Sequence, residues 1–244
     1  MPVTNPDSGT TIDEIADGIH RISTPIPPND EFPPGFSFNQ YLIVDDAPLL
    51  YHTGPKQVFP LTSQAISSVI PVDTLRYVAF SHVEADECGS LNKFLEVAPN
   101  AEPQCSDIAA VVSMGDLADR PPRGMADGET LSLGSHSVTW TATPHLPHAW
   151  ECGHLFETTT RTLFCGDLFT QMGADNPPVT EDDILEPSEQ MRAAMDYYSH
   201  TKNGVALMEK LAVLEPEILA CMHGAAWRGD GAGLLRALGA RLDA

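Results

Sequence analysis

The chain has 244 residues, 42% hydrophobic and 19% charged, which is enough for one large domain or two small ones with a sizeable buried core. Thirteen basic against thirty-four acidic side chains leave a formal charge of −21, a surface that disfavours nucleic acid and anionic membrane as partners. No uncharged apolar run approaches the about 18 residues of a membrane span, the opening Met1-Pro2-Val3-Thr4 has no basic start or apolar core, and the five cysteines form no Cys-x-x-Cys pair, so a cytoplasmic, reducing location is expected.

Alternating or apolar runs bounded by turn residues predict strands over Gly18 to Thr24, Gln40 to Val44, Pro48 to Thr53 and Leu75 to Ser81. The same pattern returns over Ser137 to Thr143, His154 to Thr158, Thr162 to Cys165 and Ile218 to His223. Helical periodicity covers Leu61 to Ile70, Ser90 to Val97, Ile108 to Met114, Pro187 to Leu214 with a break at Asn203-Gly204, and Ala232 to Leu242. The stretch from Pro25 to Gly35, rich in proline, cannot pair as a central strand and reads as a long surface loop before Gln40, placed to act as a lid. Hairpins followed by helices in each half predict an α+β fold, an αββα sandwich of two mixed sheets flanked by helices. With no short-period repeat and no linker composition, one domain over residues 1–244 is expected.

The chemistry concentrates at strand ends. After the apolar run Tyr77-Val78-Ala79-Phe80, the segment Ser81-His82-Val83-Glu84-Ala85-Asp86-Glu87-Cys88-Gly89 sets three potential ligands at alternate positions. In extended chain His82, Glu84 and Asp86 share a side, and the Gly89-Ser90 pair puts the next helix start after them. Three later strands also end in ligand-type residues: His145 or His148 after Thr143-Pro144, Asp167 after Cys165-Gly166, and His223 after Cys221-Met222. Separate strands that deliver His, Asp and His to one sheet edge are what a metal site requires. Cys165 and Cys221 lie two residues before Asp167 and His223 and read as small buried hydrophobes, with pocket lining as the alternative. Cys88 falls near an expected helix start, where a thiolate would be favoured.

With these motifs, with Ile15 to Arg21 and Asn39 to Val44 before them and His223-Gly224 closing the match, the chain resembles the metallo-β-lactamase fold. It is most similar to the di-iron branch, the flavodiiron and oxygen-binding di-iron proteins. Zinc hydrolases of that fold carry His-x-His-x-Asp-His at the first motif, whereas the di-iron branch has glutamate at the second position, as Glu84 stands here. Carboxylate-rich sites suit redox-active iron, and nitrogen-rich tetrahedral sites suit zinc. The resemblance implies that His82, Glu84 and His148 hold one iron, Asp86 and His223 the other, and Asp167 bridges them.

The chain departs from the family pattern at several points. Glu87 stands where the family has histidine, so the second iron either gains a carboxylate or lacks a protein ligand there. His145 competes with His148, which is favoured because Ala149-Trp150 follow it. His52, in Tyr51-His52-Thr53-Gly54, replaces the aspartate of the hydrolases and is expected to orient Glu84 or Asp86. Flavodiiron proteins continue into a flavodoxin-like domain that binds FMN, and the twenty-one residues after His223 leave no room for one. The resemblance therefore implies a protein with two Fe ions and no FMN that binds, senses or reduces O2, or NO, with electrons from an external partner protein. A homodimer in which one chain completes the other's electron path is compatible with it. The alternatives are a metal-dependent hydrolase, with Zn, of a lactone, thioester or phosphoester, and a metal-stabilised interaction module that docks partners on the Pro-rich loop.

Overall fold

The computed structural model describes residues 2–30 and 33–242. One sheet has eight strands, neighbours in space as in sequence: β1 Val3–Asn5, β2 Thr10–Ala16, β3 Ile19–Ile26, β4 Phe36–Ile43, β5 Leu49–Tyr51, β6 Tyr77–Ala79, β7 Glu102–Ser106 and β8 Arg123–Met125. It is antiparallel as far as β5 and parallel from β5 to β8. The second sheet contains β9 Thr130–Ser132, β10 Ser137–Ala142, β11 Gly153–Glu157, β12 Thr162–Gly166, β13 Val179–Thr180, β14 Ile218–Cys221 and β15 Ala226–Arg228, in the spatial order β13-β15-β14-β12-β11-β10-β9. The helices are α1 Phe59–Ser67, α2 Ala85–Cys88, α3 Leu91–Val97, α4 Asp107–Ala109, α5 Gly115–Leu117, α6 Leu185–Met195, α7 Gly204–Ala212 and α8 Gly231–Leu242, with a π-helical turn, Ala110–Met114, joining α4 to α5.

Side-chain alternation divides each central strand between two cores. Tyr41, Ile43, Leu49, Tyr51, Phe164 and Ala220 meet between the sheets, together with Trp140 and Leu155. Their neighbours Leu42, Leu50 and Val78 face outward under Ile66 of α1 and Phe94 of α3. On the opposite side Leu163, Cys165, Leu219 and Cys221 face Met208, Leu211, Leu235 and Leu238 of α7 and α8. Strands buried on both faces explain the near-continuous apolar runs, and the result is the expected αββα sandwich. Cys165 and Cys221 belong to the helix-side core and do not line a pocket at the site.

Several expectations need correction. The strands β1, β2, β7, β8, β9, β13 and β15 were not predicted: β2 loses its alternation at a register shift between Glu14 and Ala16, and β7 contains Pro103. Pro25 and Ile26 continue β3 and pair with Ser37 and Phe36, so the Pro-rich loop is shorter than expected. Glu31 and Phe32, the middle of the proposed lid, lie outside the described residues. The long helix breaks at Asp196, whose φ of 49° ends α6, and α7 starts only at Gly204. A short helix, α2, begins at Ala85, ahead of the expected start after Gly89.

Candidate metal centre

Glu84 is extended, with φ −142° and ψ 163°, but Asp86 falls in the first turn of α2. The motif's ligand-type residues therefore do not share one side as an extended run would. Glu84 stays beside His82, while the helical turn carries Asp86 toward His223. Gly166, with φ 51°, ends β12, and a Cβ there would lie 3.0 Å from the Ser81 hydroxyl. The chain then turns so that the main-chain carbonyl of Asp167 accepts hydrogen bonds from Thr170 Oγ1 (2.9 Å) and Tyr197 Oη (3.1 Å).

Two groups of donors result. Glu84 Oε2 lies 3.1 Å from His82 Nε2 and 2.9 Å from His148 Nε2, and Asp167 Oδ2 lies 3.6 and 3.4 Å from the same two nitrogens. On the other side His223 Nε2 lies 3.3 Å from Asp86 Oδ2 and 3.2 Å from Asp167 Oδ1. Asp167 thus turns one oxygen to each group. Glu87, one residue past Asp86, is fully buried with Oε2 3.9 Å from His82 Nε2. His145 is exposed, has φ 66° and lies beside Leu146, Arg192 and His200, outside both groups.

The imidazoles are oriented from behind. His223 Nδ1 donates to the Ser37 carbonyl at 2.8 Å, which turns Nε2 toward the carboxylates. Phe36 stacks on the same ring, centroids 4.3 Å apart. His82 Nδ1 lies 2.9 Å from Ser81 Oγ, and Ser81 Oγ lies 3.1 Å from His52 Nε2. The other His52 nitrogen meets Met222 Sδ at 3.0 Å. His52 therefore reaches His82 through a hydroxyl and makes no hydrogen bond to Glu84 or Asp86, the partners expected of it.

The segment that carries His223 is gripped by the opposite sheet. Asn39 donates from its main chain to Met222 O and from its side chain to Cys221 O and Gly224 O; Tyr41 Oη donates to Cys221 O, and Arg21 Nη2 to Gly224 O. Gly224 completes the turn with φ 91°, where a Cβ would meet the Gln171 side chain at 2.6 Å. Ser37, Ser81, Arg21 and Tyr41 were not singled out as site residues. A buried arginine and a buried Asn-x-Tyr on neighbouring strands are the sequence signals that point to such a clamp.

Three imidazoles face four carboxyl groups. Burial disfavours charge on His223, yet hydrogen bonds to Asp167 and Asp86 more than reverse this and raise it to about 10. Burial also opposes charge on His82, and the nearby Glu87, Cys152 and Glu84 outweigh it, holding the ring well above its ordinary value. Hydrogen bonds from His148 and His82 bring Glu84 down to about 2. Glu87 moves the other way: burial, then the charges of Asp167 and Asp86, push it well up, and neither of its oxygens has a hydrogen-bond donor. Protein charges alone leave this cluster of acceptors incompletely paired, a deficit that bound cations would satisfy. The ligand atoms of His82, Glu84, His148 and Asp167, and those of Asp86, Asp167 and His223, each lie within 4.8 Å of one another, so the residues fit a dinuclear centre. By contrast, burial raises the Cys88 thiol to about 11, so it is not an activated thiolate.

Above both groups lies a cavity of about 380 Å³ walled by Phe36, Phe38, Pro55, Met191, Met195 and Tyr197. Among the described residues no helix is long and apolar enough to cross a membrane.

A model of the ODP family beta lactamase domain matches residues 36–224. The chain belongs to this family. Among its relatives is the rubredoxin-oxygen oxidoreductase of Megalodesulfovibrio gigas, 26% identical over 233 residues, covering 88% of this chain and 57% of the relative. The anaerobic nitric oxide reductase flavorubredoxin of Vibrio vulnificus is 22% identical over 205 residues, covering 80% of this chain and 41% of its own length. The chain thus spans about half the length of these curated relatives. In structure it is similar to fragment 1–254 of the putative diflavin flavoprotein A 5 of Nostoc, with a TM-score of 0.83 at 19% identity, covering 96% of this chain and 94% of that one. Solved flavodiiron proteins are among the structures that share its fold.

Proposed function

We propose that the chain is a non-haem di-iron protein that binds or reduces a diatomic gas, O2 or NO, with electrons from an external donor. One observation carries this reading: the two oxygens of Asp167 are divided between a His82/Glu84/His148 group and an Asp86/His223 group, beneath an apolar cavity. In this reading His82, Glu84 and His148 would hold one iron and Asp86 and His223 the second, with Asp167 offering an oxygen to each. Two ferrous ions would supply electrons and open coordination positions, chemistry that the side chains lack.

The protein's own part is to position and to exclude. The Ser37 carbonyl and the Ser81 hydroxyl fix the ring nitrogens of His223 and His82. Phe36, Phe38 and the methionines of α6 offer a small uncharged molecule an apolar approach, while the acidic rim repels anions. The carboxylates balance most of the cation charge, which favours iron over a nitrogen-rich zinc site. The names of the relatives, an oxygen oxidoreductase and a nitric oxide reductase, point to the same gases.

The test is anaerobic loading with ferrous iron, metal analysis, then stepwise addition of O2 and, separately, NO under absorption spectroscopy. About two irons per chain and a new near-ultraviolet or visible band saturating with gas are expected. Absence of gas uptake by the iron form, together with turnover of lactones, thioesters or phosphoesters by the zinc form that is lost in His82→Ala, would overturn the proposal in favour of a hydrolase.

A further inference from the structure

Glu87 is the residue at the site that the ligand scheme above leaves without a role. Its side chain is 0% exposed, and neither carboxyl oxygen has a hydrogen-bond donor. The main chain holds it in place, because its carbonyl accepts from Thr53 N at 2.8 Å and Thr53 Oγ1 at 3.3 Å. A carboxyl group buried this way needs a compensating partner. His82 Nε2, at 3.9 Å, already has Glu84 at 3.1 Å and Asp167 at 3.6 Å.

The two donor groups are also unequal. The first has four side chains, His82, Glu84, His148 and Asp167, while the second has three, Asp86, Asp167 and His223. Glu87 follows Asp86 in α2, and ligand atoms of Glu84, Asp86 and Glu87 lie within 4.8 Å of one another. A buried carboxyl group whose only polar neighbours are other site ligands therefore stands beside Asp86, the member that the smaller group shares with the Glu84/Asp86/Glu87 cluster.

We propose that Glu87 is the fourth protein ligand of the second cation position, with Asp86, Asp167 and His223, and that the two positions consequently differ in metal preference. This rests on the dinuclear reading above. The first position has two nitrogens and two carboxylates; the second has one nitrogen and three carboxylates. Oxygen donors suit harder ions such as Mn(II) and Fe(II), and imidazole suits Zn(II), so the second position discriminates less in favour of zinc than the first.

The experiment uses the full chain stripped of metal, then equilibrated with one equivalent of Zn(II) per chain and a large excess of Mn(II), so that zinc fills the position that prefers it more and manganese competes for the other. Metal content is measured by mass spectrometry, and the two positions are told apart in crystals by anomalous scattering at the zinc and manganese edges. Expected are zinc in the His82/His148 position, manganese in the His223 position, and Glu87 in contact with the manganese. Glu87→Gln should weaken manganese binding about tenfold or more while the zinc stays. Glu87→His should shift the second position toward zinc. Two cations with the same preference at both positions, or a Glu87→Gln protein with unchanged manganese affinity, would overturn this proposal and leave the dinuclear centre standing. Fewer than two cations per chain under every condition would overturn the dinuclear reading itself. If the variants do not fold, the wild-type anomalous maps decide, by whether Glu87 contacts the second cation.

Discussion

Ser81→Ala tests whether the groups behind the ligands control the site. Ser81 is buried, its hydroxyl 2.9 Å from His82 Nδ1 and 3.1 Å from His52 Nε2. Burial drops His52 to about 3, so its ring is neutral at physiological pH. With His82 offering Nε2 to a metal, Nδ1–H donates to Ser81, the Ser81 hydroxyl donates to His52 Nε2, and His52 Nδ1–H points at Met222 Sδ. Alanine leaves the buried N–H of His82 without an acceptor. His52 Nε2 keeps only the longer contact from Ser81 N at 3.4 Å. Each orphaned group costs about 1–3 kcal/mol, so urea unfolding of the metal-free protein should show a loss of about 2 kcal/mol. Titration calorimetry should show metal affinity at the first position falling about 10–100-fold. His52→Asn, which tolerates the φ of 63°, leaves the His82 acceptor in place and should cost less than about fivefold in affinity. A Ser81→Ala protein with unchanged affinity, or a larger effect from His52→Asn, would refute the relay.

Two further outcomes follow from neighbouring features. Phe36 is almost wholly buried against His223 and Phe38, and Phe36→Ala should destabilise the metal-free protein by about 3 kcal/mol; a loss under about 1 kcal/mol in urea would show that the stacking is loose. Far from the site, Asp45 accepts from His136 N, Asp46 N and Ser135 Oγ, which outweigh its desolvation and lower it from 3.8 to about 2. Its folded-state value is depressed, so its contribution is complete above pH 3.8 and drains away as pH falls through about 2. The gap in unfolding free energy between wild type and Asp45→Asn should therefore be constant from pH 5 to 7 and vanish in strong acid; a gap that persists there contradicts the linkage.

The layered architecture was legible because central strands buried on both faces leave long apolar runs. The edge elements were not: a register shift hides β2, and Pro103 disguises β7. At the site, ligand-type residues at strand ends were visible one by one. The short helix α2 was invisible, since Glu84, Asp86 and Glu87 satisfy an extended pattern as well as a helical turn, and only the turn explains why Glu87 is buried while Glu84 is half-exposed. The hydrogen-bonding groups behind the ligands were harder still. Ser37 and Arg21 act through contacts across 186 and 203 positions of sequence, which no local pattern encodes, and Ser81, although it adjoins His82, meets His52 across 29.

Those long contacts have a thermodynamic consequence. His82, Glu84, Asp86 and Glu87 follow β6 of the first sheet, while His148, Asp167 and His223 follow β10, β12 and β14 of the second. Any cation held by both sets joins the two layers, and unfolding separates them, so the binding free energy becomes folding free energy. At a free metal concentration 1,000 times Kd, one site adds about 4 kcal/mol. For a chain of this size 1 kcal/mol moves the melting midpoint by about 2–4 °C, so a first metal should raise it by about 8–16 °C. Calorimetric scans of metal-free and ferrous-loaded protein under anaerobic conditions measure this directly. Asn39→Ala supplies the comparison: it removes the side-chain bonds to Cys221 O and Gly224 O, loosens His223 against the first sheet, and should shrink the increment from the second metal more than that from the first. An unmoved midpoint at full metal occupancy would mean that ligands from one sheet alone bind the cation, and that the convergence of the two strand ends contributes nothing to affinity.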